Sequence, residues 1–272
     1  MSSPIIVLIC VLAVVGATVG GLWGLGMAAP SRLLTDETPL WFVALEGTGE
    51  DADFTPAAGV RQRWSSHTEL VLIGPAPAWD RFLLLSGPAA ADGLPGRLGA
   101  GVDDAWIARL EPQRPPALVL GALRAAYLVG LTSRAADVTH ADGWTPPGRP
   151  ELLPDADAVL ALRTQPASLR PAMVNFLAYR DRAAYLRYGT VALRTVYGLG
   201  GELQFIGHVA EVVRPAHGDP HSADWDDIAV MRYPDPTAML SMEQVPRYRA
   251  SLAERDAGLE TTRLIATRLA PR

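Results

Sequence analysis

Five polar side chains in the C-terminal part of the chain have the chemistry needed to hold a small ligand. Asn175 stands alone among apolar residues in a predicted strand, where a buried amide needs a hydrogen-bonding partner. It either faces a ligand or bonds to a loop backbone. Arg232 ends another predicted strand, and Tyr188, Tyr248 and Arg255 lie on two predicted helices. These side chains donate hydrogen bonds to polar or anionic ligands, but helix packing and ion pairing also explain them.

Two other motifs contain residues that could bind a metal ion or a phosphate group, but neither matches a known binding motif. His217-x-Asp219-x-His221, with His208 nearby, lies in a polar loop and does not match a zinc motif, so no metal site is predicted. The four glycines between 93 and 101 lack the Lys-Ser/Thr of a phosphate-binding loop, and we interpret them as a decayed helix. The sequence contains no nucleophile motif of hydrolases, H-E-x-x-H or paired cysteines. It therefore indicates no cofactor and leaves the catalytic residues unknown.

Composition limits the class of protein. With 272 residues, 49% of them hydrophobic and 19% charged, the chain can bury one large core or two ordinary ones. Its net charge of -5 argues against nucleic acid as a partner. The single cysteine, Cys10, excludes an intrachain disulfide.

Residues 1–32 are predicted to form a transmembrane anchor. The chain has no charged side chain before Ser31, and residues 5–29 are nearly all apolar. A helix of that length measures about 37 Å, enough to cross a hydrocarbon core of about 30 Å. The alternative is a cleaved signal peptide with a small-x-small site at 26–28, although the basic n-region is missing.

The anchor also has a face of small residues. Gly16, Gly20 and Gly24 recur every four residues, which allows close approach of a second helix and predicts a homodimer. Arg32 is the basic residue nearest to the anchor, and it favours a cytoplasmic position for the soluble part.

Residues 155–272 show the element order of an intact ferredoxin-like unit, βαββαβ. A helix over 155–164 precedes it. The unit itself comprises a strand over 171–179, a helix over 182–197, strands over 202–213 and 225–233, a helix over 236–257 and a strand over 259–269.

Residues 33–136 are predicted to be a degenerate copy of this unit, joined to it by a Pro-rich linker over 137–154. The expected strands cover 39–46, 69–74, 79–85 and 117–121. The expected helices cover a short segment ending near Trp64, then 102–110, and finally 122–136.

An internal repeat supports the comparison of the two halves. The matching pairs are Pro39 with Pro171, Glu69 with Glu202, Trp79 with Trp225, Leu94 with Leu240, Arg109 with Arg255 and Leu118 with Leu264. In the same register, Ser86 replaces Arg232 and Val102 replaces Tyr248. We interpret these matches as a duplication.

The duplication predicts how the units assemble. A ferredoxin-like sheet carries helices on one face only, so its apolar second face must be covered. The predicted fold is therefore α+β, with tandem ferredoxin-like units that form an α/β barrel within one chain, preceded by one transmembrane helix. Alternatively, each half pairs with a neighbouring chain.

Residues from about 152 to 267 resemble a bacterial family, the domain of unknown function 1330, within the dimeric α/β-barrel superfamily. The likeness is carried by M-V-N-F-L-A-Y-R (173–180), Y-L-R-Y-G (185–189), G-G-E-L-Q-F-I-G (200–207), W-D-D-I-A-V-M-R-Y-P (225–234) and R-Y-R-A-S-L-A-E-R-D-A-G-L-E (247–260). The resemblance implies the fold and the pairing of units. It also implies a bacterial protein, with the anchor in the inner membrane. It implies neither an activity nor a cofactor.

Three functions remain open on this sequence. The first is a membrane-anchored module that binds a small molecule or takes part in assembly, because a barrel can enclose a pocket. The second is a cofactor-independent oxygenase or isomerase of the dimeric α/β-barrel type, with a pocket between sheet and helices. The third is a purely structural partner of another membrane protein, which would have no cavity and would present an exposed apolar patch on the first half.

Overall fold

Eight antiparallel strands close into a barrel in the computed structural model, which describes residues 33, 37–47, 54–74, 79–91, 93–132, 148–217, 221 and 224–269. The strands are β1 (Leu40–Gly47), β2 (Phe54–Pro56), β3 (Arg61–Ile73), β4 (Arg81–Ser86), β5 (Gly96–Leu98), β6 (Val102–Pro112), β7 (Pro171–Tyr179), β8 (Glu202–Arg214), β9 (Asp227–Arg232) and β10 (Leu259–Leu269). The barrel order is β1-β4-β3-β10-β7-β9-β8-β6, with β2 and β5 paired outside it. The predicted mixed α and β fold and closed eight-stranded barrel are confirmed.

The helices lie mainly in the second half of the chain. They are α1 (Ala117–Leu128), α2 (Ala156–Arg163), α3 (Arg182–Gly198), α4 (Pro236–Leu240) and α5 (Pro246–Gly258), with 3₁₀ turns at Pro150–Leu152 and Ser241–Gln244. Within the part of the chain that the structure describes, none of the helices combines the length and apolar character needed to span a bilayer. The anchor predicted at 1–32 and the face of Gly16, Gly20 and Gly24 lie outside the described residues, as does most of the linker predicted at 137–154.

The same strand order occurs twice in the barrel. The first half contributes β6-β1-β4-β3 and the second β10-β7-β9-β8. A matched hydrogen bond accompanies each copy: the Gly47 N–H donates to Asp80 Oδ2 over 2.8 Å, and the Tyr179 N–H donates to Asp226 Oδ2 over 2.7 Å. The order in both halves is that of a ferredoxin-like sheet.

The barrel interior is filled by side chains. Alternate residues of each strand point inward, and aromatic rings meet at the centre, with Trp106 and Phe176 centroids 5.4 Å apart and Phe42 and Phe176 centroids 5.9 Å apart. Phe82, Trp64 and Trp225 belong to the same buried cluster. The expectation that a pocket lies inside the barrel is therefore wrong, because the duplicated sheets use that space as their shared core.

Several elements predicted in the first half are wrong. The segment 102–110 is strand β6 rather than a helix, and 117–121 begins helix α1 rather than forming a strand. The helix expected to end near Trp64 is the start of β3, and the glycine segment 93–101 contains β5 rather than a helix remnant. In β6, Trp106 packs into the barrel and Ile107 packs against the outer layer. Asp103 and Asp104 interrupt this two-sided apolar pattern, so β6 shows neither a clear period of two nor a continuous apolar segment.

The pair β2–β5 covers the outer face of the first half. Phe54 from β2 and Leu98 from β5 pack on Trp41, Val43 and Ile107. In the second half this position relative to the sheet is occupied by α3 and α5. No helix occurs between β1 and β6 among the residues that the structure describes there.

The strand register corrects parts of the predicted repeat. Arg61 pairs with Ser86 and Glu202 pairs with Arg232, so Glu202 corresponds to Arg61 and not to Glu69. Likewise, Arg109 lies in β6 whereas Arg255 lies in α5, so they are not equivalent, and Val102 and Tyr248 differ in the same way. The number of residues between equivalent positions of the two halves changes along the chain, because the loops between strands differ in length. A fixed sequence register therefore does not align the two halves correctly.

Local signals explain where the second-half helices begin and end. Asp181 accepts hydrogen bonds from the Ala183 and Ala184 N–H groups and so caps α3. Gly200, with φ of +82°, follows the end of α3 in the left-handed conformation that favours glycine. The helix predicted over 236–257 is broken, because Pro246 cannot continue a helix but can begin one, which it does in α5.

Candidate functional site

A cavity of about 360 Å³ lies outside the barrel, between the sheet and the helices of the second half. Its floor is the outer face of β3, β7 and β10, and its walls are α2, α3 and the segment from α4 to α5. Of the predicted ligand-binding residues, Asn175, Tyr188, Tyr248 and Arg255 line this cavity, whereas Arg232 does not. The structure thus brings four of the five side chains together.

Tyr188 and Tyr248 form a buried pair across the cavity wall. Tyr188 comes from α3 and Tyr248 from α5, and their hydroxyl oxygens are 2.9 Å apart. Burial raises the pKa of both phenols, so both stay protonated at neutral pH. One hydroxyl donates to the other, and the accepting hydroxyl keeps its own proton for a further partner. The pair therefore offers one donor to a ligand.

Asn175 projects from the outer face of β7 rather than into the barrel. Its neighbours along the strand, Val174 and Phe176, point inward and force the amide to the helix side. The Asn175 Nδ2 group donates to the carbonyl oxygens of Met173 and Ala229, each over 3.1 Å. Since both amide hydrogens are used, this side chain can offer a ligand only its oxygen.

Arg255 brings a buried positive charge to the cavity. Its side chain is 7% exposed, and Asp256 accepts from its Nη2 at 2.9 Å and from its Nε at 3.0 Å. Burial acts to lower the pKa of this guanidinium, but nearby Tyr188, Tyr248 and Asp256 outweigh that effect and raise it. Arg255 therefore stays charged and is partly neutralised by Asp256.

Arg232 lies at the end of β9, away from the cavity. Its Nη2 is 2.6 Å from Glu202 Oε1, and Arg124 of α1 contacts the other oxygen of the same carboxylate. This network ties α1 to the sheet. Arg232 thus has a local ion-pairing partner where the sequence suggested a ligand contact.

Glu243 is a cavity residue that the sequence did not reveal. It lies in the 3₁₀ turn between α4 and α5, where the sequence predicted one continuous helix. Burial raises the pKa of its carboxyl group, against the opposing influence of Arg255 and Arg249. The sequence signal was a single acidic residue in the otherwise uncharged segment M-L-S-M-E-Q.

The histidines of the polar loop take part in pairs with aspartates. The His217 N–H donates to Asp104 Oδ2 over 2.7 Å, and His217 Nδ1 lies 3.0 Å from Asp104 Oδ1. Asp219 lies outside the described residues. Across the described ranges, no group of three metal-binding side chains is assembled.

A second polar cluster surrounds the buried carboxylate of Asp227. It accepts from Tyr179 Oη over 2.7 Å and from Gln113 Nε2 over 3.0 Å, and His208 Nδ1 is also 3.0 Å away. Gln113 follows β6, so this cluster joins the first half of the barrel to the second. It shows the features of a structural junction, because each contact is satisfied by a protein group.

Comparison with known proteins gives distant likenesses. No family model and no curated protein match the chain. The chain is similar to the crystal structure of RPA0582, a protein of unknown function from Rhodopseudomonas palustris, with a TM-score of 0.40 and 23% identity over 46% of this chain and 100% of that one. A structure of methylated RPA0582 gives the same TM-score and identity over 46% and 96%. A mutant chlorite dismutase from Candidatus Nitrospira defluvii is similar with a TM-score of 0.36 and 11% identity, over 88% of this chain and 94% of that one. We take no activity from these likenesses.

Proposed function

We propose that the second half of the chain binds a small molecule in the cavity between β7, β10 and helices α3 and α5. The observation that carries this proposal is the convergence of Asn175, Tyr188, Tyr248 and Arg255 on one cavity that is lined by both polar and apolar side chains. Its volume of about 360 Å³ lies in the range of about 300–1,000 Å³ typical of ligand sites. Polar groups placed among apolar side chains in a cavity can fix the orientation of a ligand.

The polar groups define the chemistry of that ligand. Asn175 offers an acceptor and the tyrosine pair offers a donor, so the ligand end should carry both a donor and an acceptor. Arg255, Arg163 and Arg249 on the lining outnumber the single carboxyl group of Glu243, which disfavours a cationic ligand. Leu264, Met173 and similar side chains form the remaining surface. The expected ligand is therefore a compound about the size of one ring, with an apolar body and a neutral or anionic polar end.

Three ring compounds that differ only in their polar end test this proposal. We expect phenol and benzamide to bind, because each presents a donor and an acceptor, and benzylamine to bind more weakly because it is cationic. Isothermal titration calorimetry and ligand-observed NMR with the full chain measure the affinities. Equal binding of all three compounds, or of none, would contradict the proposed chemistry.

Two tryptophan substitutions show whether binding occurs in this cavity. Leu264→Trp fills the cavity, whereas Leu160→Trp adds the same group to an exposed position on α2. Loss of phenol binding only in Leu264→Trp supports the site. Tyr248→Phe provides a milder variant, since it removes one hydroxyl and keeps the ring.

A catalytic alternative is favoured by Glu243. A carboxyl group whose pKa is raised by burial, in a cavity with a tyrosine pair, has the properties of a proton-transfer group. This arrangement suits a cofactor-independent oxygenase or isomerase. Deuterium exchange at carbon, followed by NMR on enolisable ring ketones, tests it. If the protein catalyses exchange and Glu243→Gln abolishes it, the result would favour an enzyme. If Glu243→Gln leaves the exchange unchanged, Glu243 is not the proton-transfer group.

We also propose that the barrel arose by duplication of a ferredoxin-like unit related to the domain of unknown function 1330. The repeated strand order and the matched Asp80 and Asp226 bonds support this origin. Residues 1–32 are proposed as a single-pass anchor in a bacterial inner membrane, with the barrel on the cytoplasmic side, and Gly16, Gly20 and Gly24 as a dimer contact. Flotation of the full chain with vesicles tests the anchor.

A further inference from the structure

Helix α1 has an exposed surface that is almost entirely apolar. Leu118 is 75% exposed, and Leu131, just beyond the helix, is 79% exposed, with Leu128 and Val129 also exposed between them. The single charged residue of the helix, Arg124, is paired with Glu202. A helix that is apolar on all sides normally has a partner on each side. Among the residues that the structure describes, α3 and strands β8 and β9 cover one side of α1.

The apolar end of α1 lies at the end of the barrel where the chain enters. Strands β1 and β8 both run antiparallel to β6, which lies between them, so they start at the same end of the barrel. The residues just after α1 lie against the segment that leads into β8, since Leu131 and Thr132 share a surface depression with Gly198 and Leu199. The segment that follows residues 1–32 leads into β1 at this same end.

The charges at this end are suited to anionic groups. Arg61 begins β3, Arg170 precedes β7 and Arg247 lies in the first turn of α5, and all three side chains are exposed. Arg247 also lines the depression next to Leu131.

Three carboxylates at the same end already have partners, and a fourth, Glu111 near the end of β6, is exposed. Glu37 pairs with Arg63 over 3.0 Å, Glu202 pairs with Arg232 over 2.6 Å, and Asp235 accepts from the Ala238 N–H over 2.7 Å. Basic and apolar side chains thus stand together there, which is the composition of a membrane-surface contact.

We infer that this end of the barrel rests on an anionic bilayer surface, through Leu128, Val129 and Leu131 and the arginines beside them. The inference rests on the proposed anchor at residues 1–32, because that segment would hold the same end of the barrel at the membrane. Apolar side chains enter the headgroup region and arginines attract anionic lipids, so the two groups act together.

Site-specific fluorescence in vesicles tests the contact with the full chain. Cys10→Ala removes the native thiol, and a single label is then placed at Leu131→Cys or, as the control at the opposite end of the barrel, at Ala257→Cys. Vesicles contain phosphatidylcholine and phosphatidylglycerol, with brominated lipid as quencher. We expect the label at position 131 to be quenched and blue-shifted and the label at 257 to be unaffected. Replacing Leu128 and Val129 with serine should abolish the quenching.

The possible results distinguish a failure of the proposed bilayer contact from a failure of the proposed anchor. A full chain that fails to float with vesicles refutes the anchor and the contact together. A chain that floats while both labels are equally quenched, or both unquenched, refutes the contact and leaves the anchor intact. Energy transfer between labels at 131 on different chains, without lipid quenching, would show that a second copy covers this surface instead.

Discussion

The hydroxyl contact between Tyr188 and Tyr248 leads to a quantitative prediction about the cavity wall. The two oxygens are 2.9 Å apart, and the side chains are 9% and 8% exposed. Replacing either tyrosine with phenylalanine removes one hydrogen bond and leaves the other hydroxyl without that partner. Each single variant should therefore lose about 0.5–1.5 kcal/mol of unfolding free energy.

The double variant distinguishes a real bond from mere proximity. Once one hydroxyl is gone, removing the second should cost little, so Tyr188→Phe with Tyr248→Phe should lose about as much as one single variant. The coupling energy from this cycle is then about 1 kcal/mol. Urea unfolding followed by tryptophan fluorescence and circular dichroism measures it.

A matched control uses a tyrosine elsewhere on the same helix. Tyr197 lies nine residues beyond Tyr188, about 13 Å along α3 at 1.5 Å per residue. Tyr188→Phe and Tyr197→Phe should therefore be additive. If the Tyr188 and Tyr248 effects also add to within about 0.3 kcal/mol, the hydroxyls are not bonded and the donor assigned to the cavity does not exist.

Three further predictions concern stability. Asp227→Ala should lose about 2–4 kcal/mol because it leaves the buried Tyr179 hydroxyl and Gln113 amide without an acceptor. The exposed Asp224→Ala is the control in urea unfolding, and equal losses would contradict the junction. Glu243 has a folded-state pKa raised by burial, so it favours the fold below the ordinary glutamate pKa of 4.5 and loses that contribution as pH rises through the folded value. The stability of Glu243→Gln relative to the native chain should therefore increase between pH 4 and pH 7 in thermal melts, whereas a constant difference would refute the raised pKa. Gly258→Ala should lose about 1–3 kcal/mol, because its Cβ would lie 2.5 Å from the Tyr185 backbone nitrogen. An unchanged melting temperature would refute that close approach.

The sequence predicts the second half well because its signals are local. Asp181 marks the start of α3, and the burial of β7 on both faces produces a continuous apolar segment. In the first half the same reasoning fails at β6, where Asp103 and Asp104 interrupt the strand pattern. Asp104 is accommodated because His217, far along the chain, and its own neighbour Ala105 donate hydrogen bonds to it. Long-range partners of this kind leave no trace in the local sequence.

The residues of the candidate site also differ in whether local sequence signals predict them. Tyr188 and Tyr248 are aromatic residues on two predicted helices, and the structure places them together. Glu243 depends on a break before Pro246 that turns its side chain toward the cavity, and helical periodicity alone does not show this break. Arg232 carries its charge at a strand end, which predicts a ligand contact, yet its orientation is set by Glu202, which lies opposite it in the next strand.

The β2–β5 ribbon has a consequence for stoichiometry. If both halves of the chain had helices over the outer face of the sheet, the protein would have two equivalent cavities, one in each half. Here the ribbon packs directly on Trp41 and Val43, where the other half leaves room between sheet and helices. Each polypeptide should therefore take up one ligand molecule, so that native mass spectrometry of the saturated protein would count a single added mass per chain.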